Sequence, residues 1–147
     1  MTNVKISKLD ENARLPHYGS EAAAGADLYA LLEEPIEIAP GKTALIHTGL
    51  KMEIPEGYAG LIYARSGLAT KKGLAPANKV GVIDSDYRGE VMVALLNHSE
   101  IPQTVEPFER IAQLVITPFL RVNYVDSAEE LSETKRGEGG FGSTGRI

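Results

Sequence analysis

Three stretches of this chain place charged, hydroxyl and aromatic side chains at spacings that could handle a phosphorylated ligand. In Gly81–Val91, GVIDSDYRGEV, two apolar runs flank Asp84-Ser85-Asp86-Tyr87-Arg88-Gly89, which reads as a hairpin tip. Period two puts Asp84 and Asp86 on the same side if the strand continues through them, whereas turn geometry would separate them. A carboxylate on a rigid tip can orient and deprotonate water, and a neighbouring aromatic, Tyr87, can cover a ligand ring. Asp, Ser and Gly are equally what turns use, and the spacing alone leaves both readings open. In Ala64–Ala69, ARSGLA, a strand gives way to Arg65-Ser66-Gly67 and the start of a helix. Helix-start N–H groups, a hydroxyl and a guanidinium would converge there on one anion. Ser66 as an ordinary helix cap is the competing reading, and it leaves Arg65 unexplained. In Glu109–Val115, ERIAQLV, Arg110 and Gln113 interrupt a strand otherwise apolar at Ile111, Leu114 and Val115. Exposure at a sheet edge would account for them equally well. Ala24–Ala30, AGADLYA, is a weaker candidate in which Asp27 follows a small-residue turn.

The C-terminal segment Arg136–Ile147, RGEGGFGSTGRI, holds five glycines, two arginines, one aromatic and a Ser-Thr pair, with no apolar periodicity of its own. Ordering so much glycine costs backbone entropy, so the segment is expected to stay mobile until a ligand compensates. Arg136, Arg146, Ser143, Thr144 and inward-turned glycine N–H groups suit phosphates, and Phe141 suits a planar base. A frayed terminus is the plainer alternative. Gly140, Gly142 and Gly145 satisfy G-x-G-x-x-G, but only two residues follow where a dinucleotide fold needs a helix. Gly41-Lys42-Thr43 fails as a P-loop because Ile36 stands where glycine is required.

The remaining sequence narrows the class. The 147 residues fit a single domain, and with no cysteine there is no disulfide framework, thiolate nucleophile or cysteine metal site. His17, His47 and His98 are scattered without ligand spacing, which speaks against a protein-caged transition metal. A net charge of −5 argues against nucleic-acid binding, while a local cationic pocket would still take a small polyanion. No apolar run reaches membrane-spanning length and MTNVKISKLDEN lacks a signal-peptide core, so no membrane association and a cytoplasmic location are expected.

Short apolar runs with period two, punctuated by Gly and Pro, make this an all-β chain. Leu50, Met52 and Ile54 alternate with Lys51 and Glu53 ahead of the turn Pro55-Glu56-Gly57. Further strands are expected at Val4–Leu9, Asp27–Leu31, Thr43–His47, Tyr58–Tyr63, Val80–Ile83, Glu90–Asn97, Arg110–Thr117 and Leu120–Val125. Val91–Leu96 is apolar on both pleat faces and should lie between two packed layers, as in a sandwich or jelly roll. Only Arg65–Lys72 and Ser127–Leu131 invite short helices.

Taken together and in order, AGADLYA, RSGLA, Asn78 followed by GVIDSDYRG, ERIAQL and RGEGGFGSTG resemble the five motifs of the trimeric dUTP pyrophosphatases, over Ala24–Gly145. Two positions depart from that pattern: Ala64 stands where Pro usually precedes RSG, and Phe108-Glu109 replaces the more usual Gly-Asp or Gly-Glu before RIAQ. The resemblance implies a jelly-roll or distorted β-barrel protomer with very little helix. Residues 1–135 would form the β domain and 136–147 a mobile arm closing over a neighbouring active site. It also implies a homotrimer whose sites are shared among chains, binding dUTP with Mg²⁺ and hydrolysing it to dUMP and pyrophosphate by in-line attack of water on the α-phosphorus. That reaction would limit uracil incorporation into DNA and supply dUMP for thymidylate synthesis. On this resemblance Asp84 is the general base. Asn78, Gly81, Asp84, Tyr87 and Phe141 hold base and sugar, and Arg65, Ser66, Gly67, Gln113, Arg136, Ser143 and Thr144 hold phosphates. Asp27 would reach Mg²⁺ only through water. Two alternatives stay open: a related dCTP deaminase, and a nucleotide-sensing module that kept the pocket without turnover.

Overall fold

The computed structural model describes residues 3–140, and among them eleven strands and a single helix are formed. One sheet has five strands in the order β2 (His17–Tyr18), β3 (Ala26–Tyr29), β11 (Arg110–Pro118), β6 (Tyr58–Tyr63), β8 (Gly81–Ile83). A second has four, in the order β1 (Lys5–Lys8), β5 (Thr43–Glu53), β9 (Glu90–Asn97), β7 (Leu74–Pro76). A two-stranded ribbon pairs β4 (Ile36–Ile38) with β10 (Gln103–Val105). All pairings are antiparallel, and both main sheets stay open rather than closing into a barrel. The sheets share one core: Leu28, Ile62, Ile111 and Leu114 come from the first, and Ile46, Leu50, Val93 and Leu95 from the second. This is the all-β sandwich that the alternating pattern predicts.

Several local expectations need correction. The runs Val80–Ile83 and Glu90–Asn97 do not form a hairpin, because β8 pairs with β6 while β9 pairs with β5 and β7. Residues 84–89 are therefore a crossing between the two sheets. The stretch Thr43–His47 and the alternating residues from Leu50 to Glu53 belong to one strand, β5, with Ile54 just past its end, and a bulge interrupts it where its register against β9 shifts between His47 and Lys51. Along β9, Val91, Val93 and Leu95 are buried, but Met92, Ala94 and Leu96 are only half-buried. On that second face Met92 borders a cavity.

Leu120–Val125 forms no strand. Its apolar residues alternate as a strand's would, yet its backbone has no neighbour to pair with and Leu120 and Tyr124 stand 91 % and 92 % exposed. Ser127–Leu131 forms no helix. The short strands β2, β4, β7 and β10 escaped the sequence pattern because two or three residues cannot establish a period. The helix α1 runs Ser66–Lys72, with Gly73 in the left-handed region (φ 66°) closing it through its N–H to Ala69 O. No helix among the described residues is long and apolar enough to cross a membrane.

Candidate active site

Asp27 sits on β3 at 8 % exposure, at the point where the small residues Ala24, Gly25 and Ala26 let other chain segments approach. A Cβ on Gly25 would lie 2.7 Å from Gln113 Oε1, so only glycine leaves Gln113 its place. Register sets the neighbours: Asp27 pairs with Gln113 on β11, and Gln113 pairs in turn with Tyr63 on β6, two residues before Arg65. Arg65 Nε donates to Asp27 Oδ1 at 2.7 Å, and Arg110 Nη1 donates to Asp27 Oδ2 at 3.1 Å. Arg65 Nη1 also donates to Arg110 O at 3.3 Å. One carboxylate thus aims two guanidinium forks, and five N–H groups per fork leave donors over for an anion.

Around them Ser66, Gly67, Gln113, Gly25 and Ser20 help line a cavity of about 290 Å³. Ser66 is the first helical residue and not the cap. Arg65 occupies the cap position, and no side chain makes a capping bond. With only seven residues, α1 offers little dipole, so the cationic character of this cavity rests on Arg65 and Arg110. Arg110 interrupted the strand pattern visibly, but its pairing with Asp27 depends on sheet register that the linear sequence does not display.

A second cavity of about 260 Å³ is lined by Asn78, Gly81, Asp84 and Tyr87, with Ile62, Leu45 and Met92 as its apolar floor. Asn78 is placed by a tight turn in which Lys79 takes φ 68°, Lys79 N–H donates to Pro76 O and Val80 N–H donates to Asn78 O. A Cβ on Gly81 would meet Ile62 Cβ at 3.2 Å and Asn78 Nδ2 at 3.4 Å, which keeps this wall close to bare backbone. Asp84 and Tyr87 are joined by a turn in which Tyr87 N–H donates to Asp84 O at 3.1 Å. Asp86 does not line this cavity; together with Asp84 it borders another depression beside Arg88 and Arg121. An exposed carboxylate over an apolar floor, beside an aromatic and a carboxamide, is suited to a heterocyclic ring and to a water near it.

The two cavities have no lining residue in common. The chain therefore brings Asn78, Gly81, Asp84 and Tyr87 together, and separately Asp27, Arg65, Ser66, Gly67 and Gln113. Arg136 is exposed, its Nε donating to Gly139 O at 2.7 Å, and it lines neither cavity. Phe141, Ser143, Thr144 and Arg146 lie outside the described residues. Among the described residues no group of three or more His, Asp or Glu side chains converges as a metal cage. The residues fit a hydrated Mg²⁺ instead: each Asp27 oxygen engages one guanidinium and keeps a lone pair for a water.

Both departures from the motif pattern have a local explanation. The Ala64 carbonyl accepts from Gln113 Nε2 at 2.9 Å, a bond that Pro and Ala offer alike. Phe108 takes φ 60°, a conformation that suits the usual glycine, and Arg14 stacks on its ring at 4.2 Å from the centroid.

This architecture, a β sandwich with one cavity carrying two carboxylate-paired arginines and a separate one with an apolar floor, has the features that a nucleotide-handling protein requires. The dUTPase family profile matches residues 11–145, and the chain belongs to the dUTPase family. It is 51 % identical over 138 residues to the deoxyuridine 5'-triphosphate nucleotidohydrolase of Chlamydia pneumoniae, covering 94 % of this chain and 95 % of that one. It is 48 % identical over 141 residues to the protein of the same name from Alcanivorax borkumensis, covering 95 % and 93 %. Among solved structures, the dUTPase of Staphylococcus bacteriophage 80alpha with dUPNHPP superposes with a TM-score of 0.88 at 30 % identity, over 99 % of each chain. A variant of the dUTPase from phage phi11 of S. aureus, described for its coordination of a structural Mg(II) ion, gives a TM-score of 0.76 at 26 % identity, over 87 % of this chain and 98 % of that one.

Proposed function

We infer that this protein hydrolyses dUTP to dUMP and pyrophosphate, limiting uracil incorporation into DNA and supplying dUMP for thymidylate synthesis. We infer also that its two cavities are halves of a site completed between copies in a homotrimer. The observation that carries the shared-site reading is the separation of the nucleoside wall from the phosphate wall within one chain. A nucleoside triphosphate must meet both walls at once, and packing one copy's nucleoside cavity against the next copy's arginine cavity would let it do so. Phe119, Leu120, Val122, Tyr124 and Val125 are exposed in the single chain and supply apolar surface for such packing.

In this reading Asn78 and the backbone at Gly81 complement uracil's O4 acceptor and N3 donor, a pattern that cytosine reverses. The closeness of that wall excludes thymine's methyl group. Tyr87 packs on the deoxyribose and leaves no room for a 2′-hydroxyl. Asp84 takes a proton from the water that attacks the α-phosphorus in line, so no covalent nucleophile is needed. Arg65, Ser66, Gly67 and Gln113 grip the phosphate chain and absorb charge as the bond to the leaving pyrophosphate stretches. Asp27 would face the hydration shell of a Mg²⁺ bound together with the triphosphate, and that ion would supply further charge neutralisation. Residues 136–147 form an arm that closes over a neighbouring site, with Phe141 on uracil and Arg136, Ser143 and Thr144 on phosphates. We place this work in the cytoplasm, with the nucleotide pool. Pyrophosphate release measured across the deoxynucleoside and ribonucleoside triphosphates should be fast with dUTP and slow with UTP, dCTP and dTTP. Comparable rates on all four would overturn the reading.

A further inference from the structure

Tyr87, the proposed sugar wall, is held by contacts that lead away from the cavity it lines. Its hydroxyl donates to the backbone carbonyl of Glu90 at 2.9 Å, and its ring lies so close over Gly89 that a Cβ there would overlap both ring and hydroxyl. Glu90 is the first residue of β9, and its carboxylate reaches across to β5. His47 Nδ1 lies 2.9 Å from Oε2, and Gly49 N–H donates to Oε1 at 2.8 Å.

Those contacts fall in the β5 bulge, where four steps along β5, from His47 to Lys51, oppose two along β9, from Met92 to Glu90. A bulge interrupts the ladder, so the backbone groups within it need other partners. Here side chains provide them: the Glu90 carboxylate takes the Gly49 N–H, and Thr48 Oγ1 donates to Val91 O. Gly49 has φ 69°, and a Cβ there would collide with Leu31 and Ala13, so the bulge admits only glycine. The Glu90 side chain is 17 % exposed, which sets it apart from an ordinary solvated surface pair. Glu90 also lines both the nucleoside cavity and a neighbouring one that includes His47 and Gly49.

We propose that Glu90 is a positioning residue for sugar recognition: its carboxylate, clamped by His47 and the Gly49 N–H, fixes the start of β9 and with it the carbonyl on which Tyr87 docks. This inference rests on the reading of Tyr87 as the wall that excludes a ribose hydroxyl. Loss of the carboxylate leaves the Gly49 N–H unpaired, loosens the first residue of β9 and lets the Tyr87 ring move, so UTP gains on dUTP. A contact that serves stability alone would lower turnover of both nucleotides together.

The test compares the wild-type protein with Glu90→Ala, Glu90→Gln and Tyr87→Ala, all as full chains. The ratio of kcat/KM for dUTP to that for UTP gives one readout. The Cζ resonance of Tyr87 in protein carrying ring-labelled tyrosine, assigned with Tyr87→Phe, gives the other because it senses the hydroxyl's hydrogen bond. Glu90→Ala should shift that resonance and lower the ratio about five-fold, the value of one hydrogen bond. Glu90→Gln should preserve both readouts, since its amide can still accept from Gly49 and donate to His47. A Tyr87 resonance that stays in place in a folded Glu90→Ala protein overturns the proposal. If the resonance moves but neither Glu90→Ala nor Tyr87→Ala alters the ratio, the clamp stands and the assignment of sugar selectivity to Tyr87 falls.

Discussion

At the scale of single residues, Asp27 and Asp84 divide the work that two carboxylates can do. Asp27 is buried and paired with Arg65 and Arg110, so its charge is spent on aiming cations. Asp84 is exposed on a turn and lines the proposed nucleoside cavity, where it can reach water. Replacing Asp84 by Asn keeps size and hydrogen bonding while removing basicity. Turnover of dUTP should fall by about 10²–10⁴-fold with nucleotide affinity largely retained, as steady-state kinetics and calorimetry on one preparation would establish. Undiminished turnover would take the base role away from Asp84. Glu90 yields a prediction of a different kind. Burial alone would raise its carboxyl, but the hydrogen bond from His47, the Gly49 N–H, the charge of protonated His47 and the Thr48 backbone N–H together hold it below its ordinary value of 4.5. A pKa depressed by folding means that the ionised group favours the folded state. That contribution is complete above the unfolded value and disappears as pH falls through the lowered folded value. The melting temperature of the wild-type protein should exceed that of Glu90→Gln near neutrality and converge with it as pH falls through the lowered folded value of Glu90. A gap of constant size across that range would mean that the charge contributes nothing.

At the scale of elements, Asn97 ties the end of β9 to the ribbon of β4 and β10. Its side chain is fully buried, with Nδ2 donating to Ile38 O and Ile101 O at 2.8 Å each and Oδ1 accepting from Ser99 N–H and Ser99 Oγ. The Asn97-His98-Ser99 sequon is thus an internal fastening with no room for a glycan. Asn97→Ala takes the side-chain partner from Ile38 O and the Ser99 N–H, while Ile101 O keeps its bond from Ser99 Oγ, so urea unfolding should report a loss of about 1–3 kcal/mol. A loss below about 0.5 kcal/mol would mean that water enters and takes over those bonds. Which elements could be read from the sequence follows the same physics. The long strands β5, β9 and β11 announce themselves because their apolar residues repeat over enough positions to fix a period, whereas the short helix α1, with only Leu68 buried, is legible from its start at Arg65-Ser66-Gly67. The motif residues of the two cavities were likewise visible as polar interruptions of apolar runs. The partnership of Arg110 with Asp27 and of His47 with Glu90 was not, because each depends on register between strands distant in sequence. The supposed hairpin at 84–89 failed for a related reason. Two apolar runs joined by turn residues specify a reversal, but not whether the second run returns to the same sheet.

At the scale of the whole molecule, the two cavities make catalysis a property of contact between copies if the proposed trimer holds. Size-exclusion chromatography with light scattering should then give three times the protomer mass. An active monomer would dismiss the shared site. The exposed stretch from Phe119 to Val125 fits the same view, since its strand-like alternation reads sensibly only beside a neighbour that a lone chain does not possess.

Disjoint walls also carry a genetic meaning. On the proposed shared site, a lesion in Arg65 and a lesion in Asp84 would damage opposite faces of the joint, so two proteins that are each inert could lend one another what the other lacks. Unfolding an equal mixture of Arg65→Ala and Asp84→Asn chains and refolding them together should restore roughly a quarter of the wild-type number of intact sites, the random-mixing expectation for a junction needing one sound wall from each kind of chain. Refolding either variant alone should restore none. Recovery of that size would amount to complementation between alleles of one gene, and a mixture as inert as its parts would confine each site to a single polypeptide.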